Sequence, residues 1–177
     1  MKTVGNKLEP FAVIGVNPGK DDFFTITEES FKGKWKVIVF YPKDFTFVCP
    51  TEIVAYDRLF HDFTDRGAVL LTGSTDNEFC KLNWQAAHAD LRQIRHIQFS
   101  DTARDERSLV DQLGVFFAPA GAALRATFIV DPDNVIQHVT VNNLKVGRSP
   151  EETLRVLDAL QTDELCECNR QVGGGTL

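Results

Sequence analysis

A continuous apolar run followed by a helical repeat constrains this fold more than any other part of the sequence. Residues 35–41 are mostly β-branched or aromatic with almost no polar alternation, which is typical of a strand buried on both faces of a sheet. After Pro50, apolar residues recur at three- and four-residue steps, which predicts a helix that ends at Gly67. The residues of this repeat are Ile53, Tyr56, Leu59, Phe60 and Phe63. A buried strand followed by such a helix predicts an α/β domain with a central sheet flanked by helices.

The next segments alternate between the same two patterns. Residues 68–72 predict a second buried strand. Thr75, with Glu78 three residues later, matches a capping box and predicts a helix that runs to about His88. Residues 109–113 predict a further short helix.

Two strands, 125–131 and 135–141, are predicted in the last third of the chain, with a proline-containing turn between them. A serine cap followed by proline and two glutamates, at 149–152, predicts the start of a final helix. We expect residues 1–34 to be irregular. The tail after Gln161 is polar and has three consecutive glycines, so we expect it to be mobile.

Length and charge limit the possible functions. The 177 residues fit one domain, residues 1–160, followed by a C-terminal tail, residues 161–177. A net charge of -6 argues against nucleic-acid binding, which needs a clustered positive excess. We expect no membrane span, since no uncharged run approaches the length that crosses a bilayer. The absence of a secretory signal predicts a cytoplasmic protein, in which four cysteines are more often catalytic, metal-binding or buried than disulfide-bonded.

Cys49 lies in the first turn of the helix that follows the buried strand. Unpaired backbone N–H groups and the helix dipole favour a thiolate at such a position. Pro42 and Pro50 bracket the cysteine, and Thr46 supplies a hydroxyl nearby. The alternative interpretation is a buried structural cysteine, because cysteine is among the most buried residue types.

The residues around Cys49 resemble a known family. Pro42, Thr46 and Cys49 have the spacing of the peroxiredoxin signature. The whole stretch 43–52 resembles the two-cysteine, alkyl hydroperoxide reductase C-type branch, and the likeness continues through nearly the whole chain. The resemblance implies a thioredoxin-like fold. It also implies a thiol peroxidase that reduces hydrogen peroxide and organic hydroperoxides for antioxidant defence without a cofactor or a metal.

The resemblance assigns roles to four residues. Cys49 would be the peroxidatic nucleophile, and Thr46 would hydrogen-bond the attacked peroxide. Pro42 would shield the thiolate from water. Arg125 matches the active-site arginine of the family, whose guanidinium can stabilise the thiolate and the charge that develops on the leaving oxygen.

Three further residues match supporting positions of the family. Glu52 and Arg148 match a pair that would orient the active-site arginine, although Arg148 taken alone would be an ordinary solvated loop residue. Trp84 matches a tryptophan near the site, and a plain core tryptophan is an equal alternative.

The second half of the reaction needs another thiol, and the tail offers two. Sulfenic acid condenses with a thiol to a disulfide. Cys166 and Cys168 depart from the single cysteine usual in this branch and resemble a subgroup with a cysteine-x-cysteine tail. That resemblance implies that Cys166 resolves, with Cys168 as a possible relay.

Partners follow from the same resemblance. The resolving cysteine of this branch comes from the other subunit, which implies a homodimer, assembled into a ring of dimers such as a decamer. The implied electron donor is a protein disulfide reductant of alkylhydroperoxidase D type, a thioredoxin or a flavoprotein reductase.

Cys80 matches neither catalytic position, and we expect a buried, inert thiol. The four histidines show no metal spacing, and the Cys166-x-Cys168 pair lacks a second ligand pair. A thioredoxin-type oxidoreductase would need a second thiol at the start of the first helix, where the sequence is Cys-Pro-Thr-Glu. A holdase chaperone or structural ring is the alternative outside catalysis.

Inactivation by excess peroxide occurs when sulfenic acid is oxidised further to sulfinic acid before it meets the resolving thiol. Sensitive members of the family slow the resolving step with a Gly-Gly-Leu-Gly insertion and a C-terminal helix containing Tyr-Phe. Neither feature is present in this sequence, which predicts resistance to excess peroxide.

Overall fold

The computed structural model describes all 177 residues of the chain, and a seven-stranded mixed sheet forms its centre. The strands are β1 (Val13–Val16), β2 (Phe23–Ile26), β3 (Trp35–Phe40), β4 (Ala68–Ser74), β5 (Ile97–Ser100), β6 (Phe116–Phe117), β7 (Ala122–Ala123), β8 (Arg125–Val130) and β9 (Ile136–Asn142). The helices are α1 (Cys49–Arg58), α2 (Phe60–Asp65), α3 (Glu78–Ala87), α4 (Leu109–Leu113) and α5 (Pro150–Leu160). The sheet order is β2-β1-β5-β4-β3-β8-β9, and β6 pairs separately with β7.

The central strand β3 is covered on both faces. Val37 and Val39 pack in one core cluster with residues of α1, α2 and α5. Ile38 and Phe40 point to the opposite face and pack in a second cluster, to which α4 contributes. β3 runs parallel to β4 and antiparallel to β8. The predicted α/β fold with a central sheet flanked by helices is confirmed.

The predicted hairpin and final helix are also present. β8 and β9 pair antiparallel, and the turn between them places Asn134 at a φ of 66°. This left-handed conformation suits asparagine better than most residues. The Ser149 hydroxyl oxygen accepts a 3.2 Å hydrogen bond from the Glu152 N–H and caps α5.

The helix predicted from Pro50 to Gly67 is interrupted. At Leu59 the backbone leaves helical geometry, so that two helices replace one. The carbonyl of Asp57 accepts a hydrogen bond from the guanidinium of Arg95 as well as a backbone N–H at the end of α1. This long-range contact therefore lies at the point where α1 ends.

The predicted N-cap at Thr75 is wrong, since α3 is capped by Asn77. The Asn77 side chain accepts a 2.8 Å hydrogen bond from the Cys80 N–H. Asp76, between the two candidates, is used elsewhere, because its carboxylate accepts a 2.7 Å bond from the Asp44 N–H. The turn between β4 and α3 is therefore longer than a capping box starting at Thr75 allows.

The first 34 residues are not irregular throughout, because they contain the hairpin of β1 and β2. β1 pairs with β5 and thereby extends the sheet. Gly15 in β1 leaves space that the ring of Phe24 occupies, since an added Cβ would lie 2.7 Å from that ring. The pairing of β1 with β5 joins residues that are far apart in the sequence, and strands of four residues are too short to show a clear alternation. This is why the sequence did not predict them.

The tail after Gln161, which is predicted to be mobile, contacts α5 in this structure. It forms no helix, and it folds back on α5 through hydrogen bonds from Arg170 to Asp158 and to two glycine carbonyls. No helix of the protein is both long enough and apolar enough to cross a membrane.

Candidate active site

Cys49 is the first residue of α1 and is 1% exposed. The loop 41–48 connects it to the end of β3. No side chain caps the start of α1, and Pro50 has no N–H. The Cys49 side chain therefore lies at the positive end of the helix dipole without a competing capping group. Its side chain packs with those of Tyr41 and Trp84 in a small buried cluster. Trp84 therefore lies at the site and contributes to its core.

Arg125 places a positive charge beside the sulfur. Its Nη1 donates a 3.5 Å hydrogen bond to the Cys49 Sγ, and the residue is 4% exposed. Arg125 is the first residue of β8, two positions before Thr127, which pairs with Val39 of β3. Its Nε donates to the Leu144 carbonyl at 2.7 Å, which fixes the other side of the guanidinium.

Glu52 lies one turn after Cys49 and holds two arginines. Its Oε2 accepts hydrogen bonds from Arg125 Nη1 at 2.7 Å and from Arg148 Nη2 at 3.0 Å. Its Oε1 accepts from the Arg148 backbone N–H at 3.0 Å and from its Nε at 2.8 Å. The Arg148 side chain is 2% exposed, so it is not a solvated loop arginine. One carboxylate against two guanidinium groups leaves one positive charge uncompensated beside the sulfur.

Thr46 and Pro42 lie in the loop between β3 and α1. The Thr46 hydroxyl donates a 2.9 Å hydrogen bond to the Lys43 carbonyl, and the residue is exposed. Pro42 is half-buried. Between them, Phe45 has a φ of 55°, a left-handed conformation that aromatic residues rarely adopt. Such a backbone persists only where the surroundings hold it.

A buried ion pair, which was not predicted from the sequence, holds this part of the loop in place. Lys81 of α3 donates to Asp44 Oδ1 at 3.2 Å and Oδ2 at 3.3 Å, and to Ser74 Oγ at 2.7 Å. Neither side chain of the pair has any exposed area. Burial lowers the pKa of Lys81, and the neighbouring Asp44 carboxylate opposes that shift. The pair fastens the residue before Phe45 to α3.

One signal for this anchor is present in the sequence. Lys81 lies three residues before Trp84, so both side chains occupy the same face of α3. A lysine on the face that carries a core tryptophan needs a buried anion. The pattern does not show which acidic residue supplies it.

Cys80 is only partly buried, contrary to the prediction. Burial raises the pKa of its thiol to about 11, and the nearby carboxylates of Asp44 and Asp76 act in the same direction. A thiol that is protonated at neutral pH is a poor nucleophile. Its predicted inertness agrees with this environment.

The structure does not bring the tail cysteines to Cys49. Arg148, just before α5, contacts Glu52 at the start of α1, whereas Asp158 near the end of α5 pairs with Arg66, which follows α2. α5 therefore runs alongside α1 and α2 in the same direction, and Cys166 lies beyond its far end. All four cysteines are free thiols. No group of three or more His, Cys, Asp or Glu side chains is arranged to hold a metal ion.

Comparison with known proteins gives consistent matches. Residues 4–139 match the AhpC/TSA family. The chain is 47% identical over 185 residues to alkyl hydroperoxide reductase C of Mycolicibacterium smegmatis, covering 99% of this chain and 93% of the relative. It is 51% identical over 160 residues to alkyl hydroperoxide reductase C of Mycobacterium tuberculosis, covering 90% of this chain and 80% of the relative.

Solved structures agree with these relatives. Mycobacterium tuberculosis AhpC superposes with a TM-score of 0.84 at 43% identity, covering 94% of this chain and 97% of that structure. A reduced 2-Cys peroxiredoxin of Plasmodium vivax superposes with a TM-score of 0.89 at 34% identity, covering 99% of this chain and 93% of that structure. The expected thioredoxin-like fold is confirmed by these matches.

We predict that Asp44→Asn lowers the free energy of unfolding by roughly 3–5 kcal/mol, because it removes the carboxylate that the buried Lys81 ammonium contacts directly. Denaturant titration at fixed protein concentration measures this. Asp105→Asn, which breaks an exposed pair with Arg107, is the control and should change stability by no more than about 0.5 kcal/mol. Equal effects of the two substitutions would contradict the anchor.

Proposed function

The chain belongs to the AhpC/TSA family and is a thiol-dependent peroxidase, and we propose that Cys49 is the thiol that attacks the peroxide. The observation that carries this proposal is the contact of the Arg125 guanidinium with the Cys49 sulfur at 3.5 Å, at the uncapped start of α1. Cys80, by contrast, has a raised pKa, and neither tail cysteine has a comparable cationic contact with its sulfur.

In the first step the Cys49 thiolate attacks one oxygen of the hydroperoxide. A sulfur–oxygen bond forms, the oxygen–oxygen bond breaks, and the leaving oxygen takes a proton to become water or an alcohol. Cys49 becomes a sulfenic acid. Negative charge moves from the sulfur towards the leaving oxygen, so a fixed cation beside both atoms lowers the barrier.

Each residue around Cys49 has a separate role in this first step. Arg125 stabilises the thiolate and then the leaving oxygen. Glu52 and Arg148 are positioning residues, because they touch the guanidinium or its partner and not the sulfur. Thr46 offers its hydroxyl to the peroxide from the exposed side of the loop, and half-buried Pro42 limits the access of water.

In the second step, Cys166 of the partner subunit attacks the Cys49 sulfur, a disulfide forms and water leaves. The placement of the two cysteines in one chain supports an intermolecular bond. α5 alone, which separates Arg148 from the tail, spans roughly 16 Å. A disulfide requires the two Cα atoms to lie within about 7 Å. Cys168, two residues further, is exposed and is suited to pass the disulfide on to a reductant.

Two surfaces support assembly into dimers and a ring. β9 is an edge strand of seven residues. The backbone of Ile136 at its start bonds to the N-terminal segment, and the outer hydrogen-bonding groups of the rest of the strand are available to a second copy. Four exposed phenylalanines, called the aromatic patch below, are suited to contacts between dimers. They are Phe23 and Phe79, whose rings contact each other, and Phe45 and Phe47 of the active-site loop.

The remaining partners follow from the chemistry. The substrates are hydrogen peroxide and organic hydroperoxides, and the disulfide returns to two thiols at the expense of a protein dithiol such as an alkylhydroperoxidase D-type protein, a thioredoxin or a flavoprotein reductase. We place the enzyme in the cytoplasm, where such reductants keep thiols reduced. Residues 1–160 form the catalytic domain, and residues 161–177 form the tail that carries the resolving thiol.

We predict that Arg125→Ala slows the oxidation of Cys49 by hydrogen peroxide at least about tenfold, which corresponds to roughly 1.4 kcal/mol of barrier. Rapid-mixing measurement of sulfenic acid formation gives the rate. Arg107→Ala removes an exposed arginine and is the control for charge. Cys49→Ser should abolish peroxide consumption. A near-normal rate in Arg125→Ala protein with an intact circular dichroism spectrum would reject the role of Arg125.

We predict that one equivalent of peroxide converts the protein to a disulfide-linked dimer joined through Cys49 and Cys166. Non-reducing electrophoresis and peptide mass mapping identify the linkage. Cys80→Ser protein should form the same dimer, because Cys80 takes no part in the reaction. If Cys166→Ser protein forms the dimer at the normal rate, then Cys166 is not the resolving thiol.

We predict that Phe79→Glu shifts the reduced protein from a ring of dimers to separate dimers. Phe79 is 59% exposed and contacts Phe23 edge to face at 5.1 Å, so a charge there replaces exposed apolar surface and removes this ring contact. Sedimentation velocity measures the assembly. Val4→Glu, at a residue that is 57% exposed, is the matched control. Unchanged ring assembly in Phe79→Glu protein would exclude the patch as the contact between dimers.

A further inference from the structure

The tail contains a buried arginine that the proposed chemistry does not use. Arg170 is 5% exposed, although its sequence neighbours Asn169 and Gln171 are exposed. Its Nη1 donates a 2.7 Å hydrogen bond to Asp158 Oδ2 of α5. A charged side chain of this kind is buried only where its donors are satisfied.

The other donors of the guanidinium bond to backbone carbonyls near the C-terminus. Nη2 donates to the Gly174 carbonyl at 2.7 Å, and Nε donates to the Gly175 carbonyl at 3.2 Å. Asp158 Oδ2 also accepts the Gly173 N–H at 2.9 Å. Gly174 has no room for a side chain, since an added Cβ would lie 2.9 Å from the Gln171 carbonyl oxygen. The glycines of the tail therefore form a tight wrap around Arg170.

The short segment that carries Cys166 is held at both ends, and the Arg170–Asp158 ion pair holds one of them. One end is the terminus of α5 at Leu160, and the other is Arg170. Between them the Cys166 sulfur lies 3.5 Å from the Thr162 hydroxyl and 3.8 Å from the Ala159 carbonyl. The thiol lines an open groove of 640 Å³ between α5 and the tail, together with Val156, Leu160, Leu165 and Leu177.

We propose that the Arg170–Asp158 ion pair is a positioning device for the resolving step, which holds Cys166 at this groove so that the oxidised Cys49 turn of a second copy meets a thiol in a fixed place. The proposal rests on the proposed function, in which Cys166 resolves. Arg170 is a positioning residue, because it acts through the tail backbone and does not touch the reacting sulfur atoms.

The length of chain on each side of Cys166 limits how far its thiol can move with and without the anchor. With Arg170 anchored, four residues limit the excursion of Cys166 from that point to about 14 Å. Without the anchor, the six residues back to Leu160 allow a reach of about 21 Å, and the remaining restraints are single hydrogen bonds such as that from Arg155 Nη1 to the backbone carbonyl of residue 170. A thiol that searches a larger volume has a lower effective concentration at the partner's sulfenic acid.

The test separates the two half-reactions of the whole protein in a rapid-mixing experiment with hydrogen peroxide. In Arg170→Ala protein, sulfenic acid formation at Cys49 should keep its wild-type rate within about twofold, and disulfide formation should slow at least about fivefold. Intact-mass analysis during turnover should then show more sulfinic acid on Cys49 at the same peroxide concentration.

Two further variants keep the test independent of a general loss of folding. Arg170→Lys keeps the charge pair with Asp158 but loses the planar fork that binds the two carbonyls, so its disulfide rate should lie between those of the wild type and Arg170→Ala. Gly174→Ala leaves every charge unchanged but forces the wrap open, and it should also slow the second step. Arg107→Ala, which removes an exposed arginine, is the control and should change neither rate.

The outcomes distinguish this proposal from the one on which it rests. If Cys166→Ser protein resolves at the wild-type rate, the assignment of Cys166 fails, and the anchor proposal fails with it. If Cys166→Ser protein does not resolve but Arg170→Ala protein resolves at the wild-type rate or faster, only the anchor proposal is overturned. Slowing of the first step in Arg170→Ala protein would also overturn it, since the anchor lies at the opposite end of α5 from Cys49.

Discussion

Taking a carboxylate out of water costs several kcal/mol unless charged partners replace the solvent, and Glu52 meets that cost with two arginines. The partners come from β8 and from the loop before α5, so α1, the sheet and the last helix converge on a single side chain. Arg125 can point at Cys49 only because Glu52 and the Leu144 carbonyl hold its guanidinium. The chemistry of the sulfur therefore depends on a carboxylate that does not touch it.

A second buried charge pair acts on the other side of the cysteine. Lys81 and Asp44 fix the loop before α1, while Glu52 fixes the first turn of α1 itself. Cys49 lies between these two fixed points. In the proposed mechanism, the same segment is held rigidly for attack on peroxide and must open when the disulfide forms.

The sequence predicted the parts of the fold that have a local pattern. Periodicity and turn chemistry were enough to predict the strand in residues 35–41, the turn before β9 and the serine cap of α5. The break at Leu59 and the cap at Asn77 could not be predicted in this way, because the neighbouring residues Asp57 and Asp76 bond to Arg95 and Asp44, which lie 38 and 32 positions away along the chain. Arg125 and Glu52 were identified through family resemblance, and Lys81 was missed because nothing local pairs it with Asp44.

The complete burial of Lys81 and Asp44 has a consequence for the conditions under which the loop stays closed. Dissolved ions weaken the interaction between exposed charges, which decays over about 8–10 Å at ordinary ionic strength. They cannot enter a pair that has no exposed area. Surface pairs such as Arg155 with Glu152 weaken as salt is added, whereas the contact that closes the active-site loop does not. Changes in ionic strength should therefore leave the closed loop unaltered.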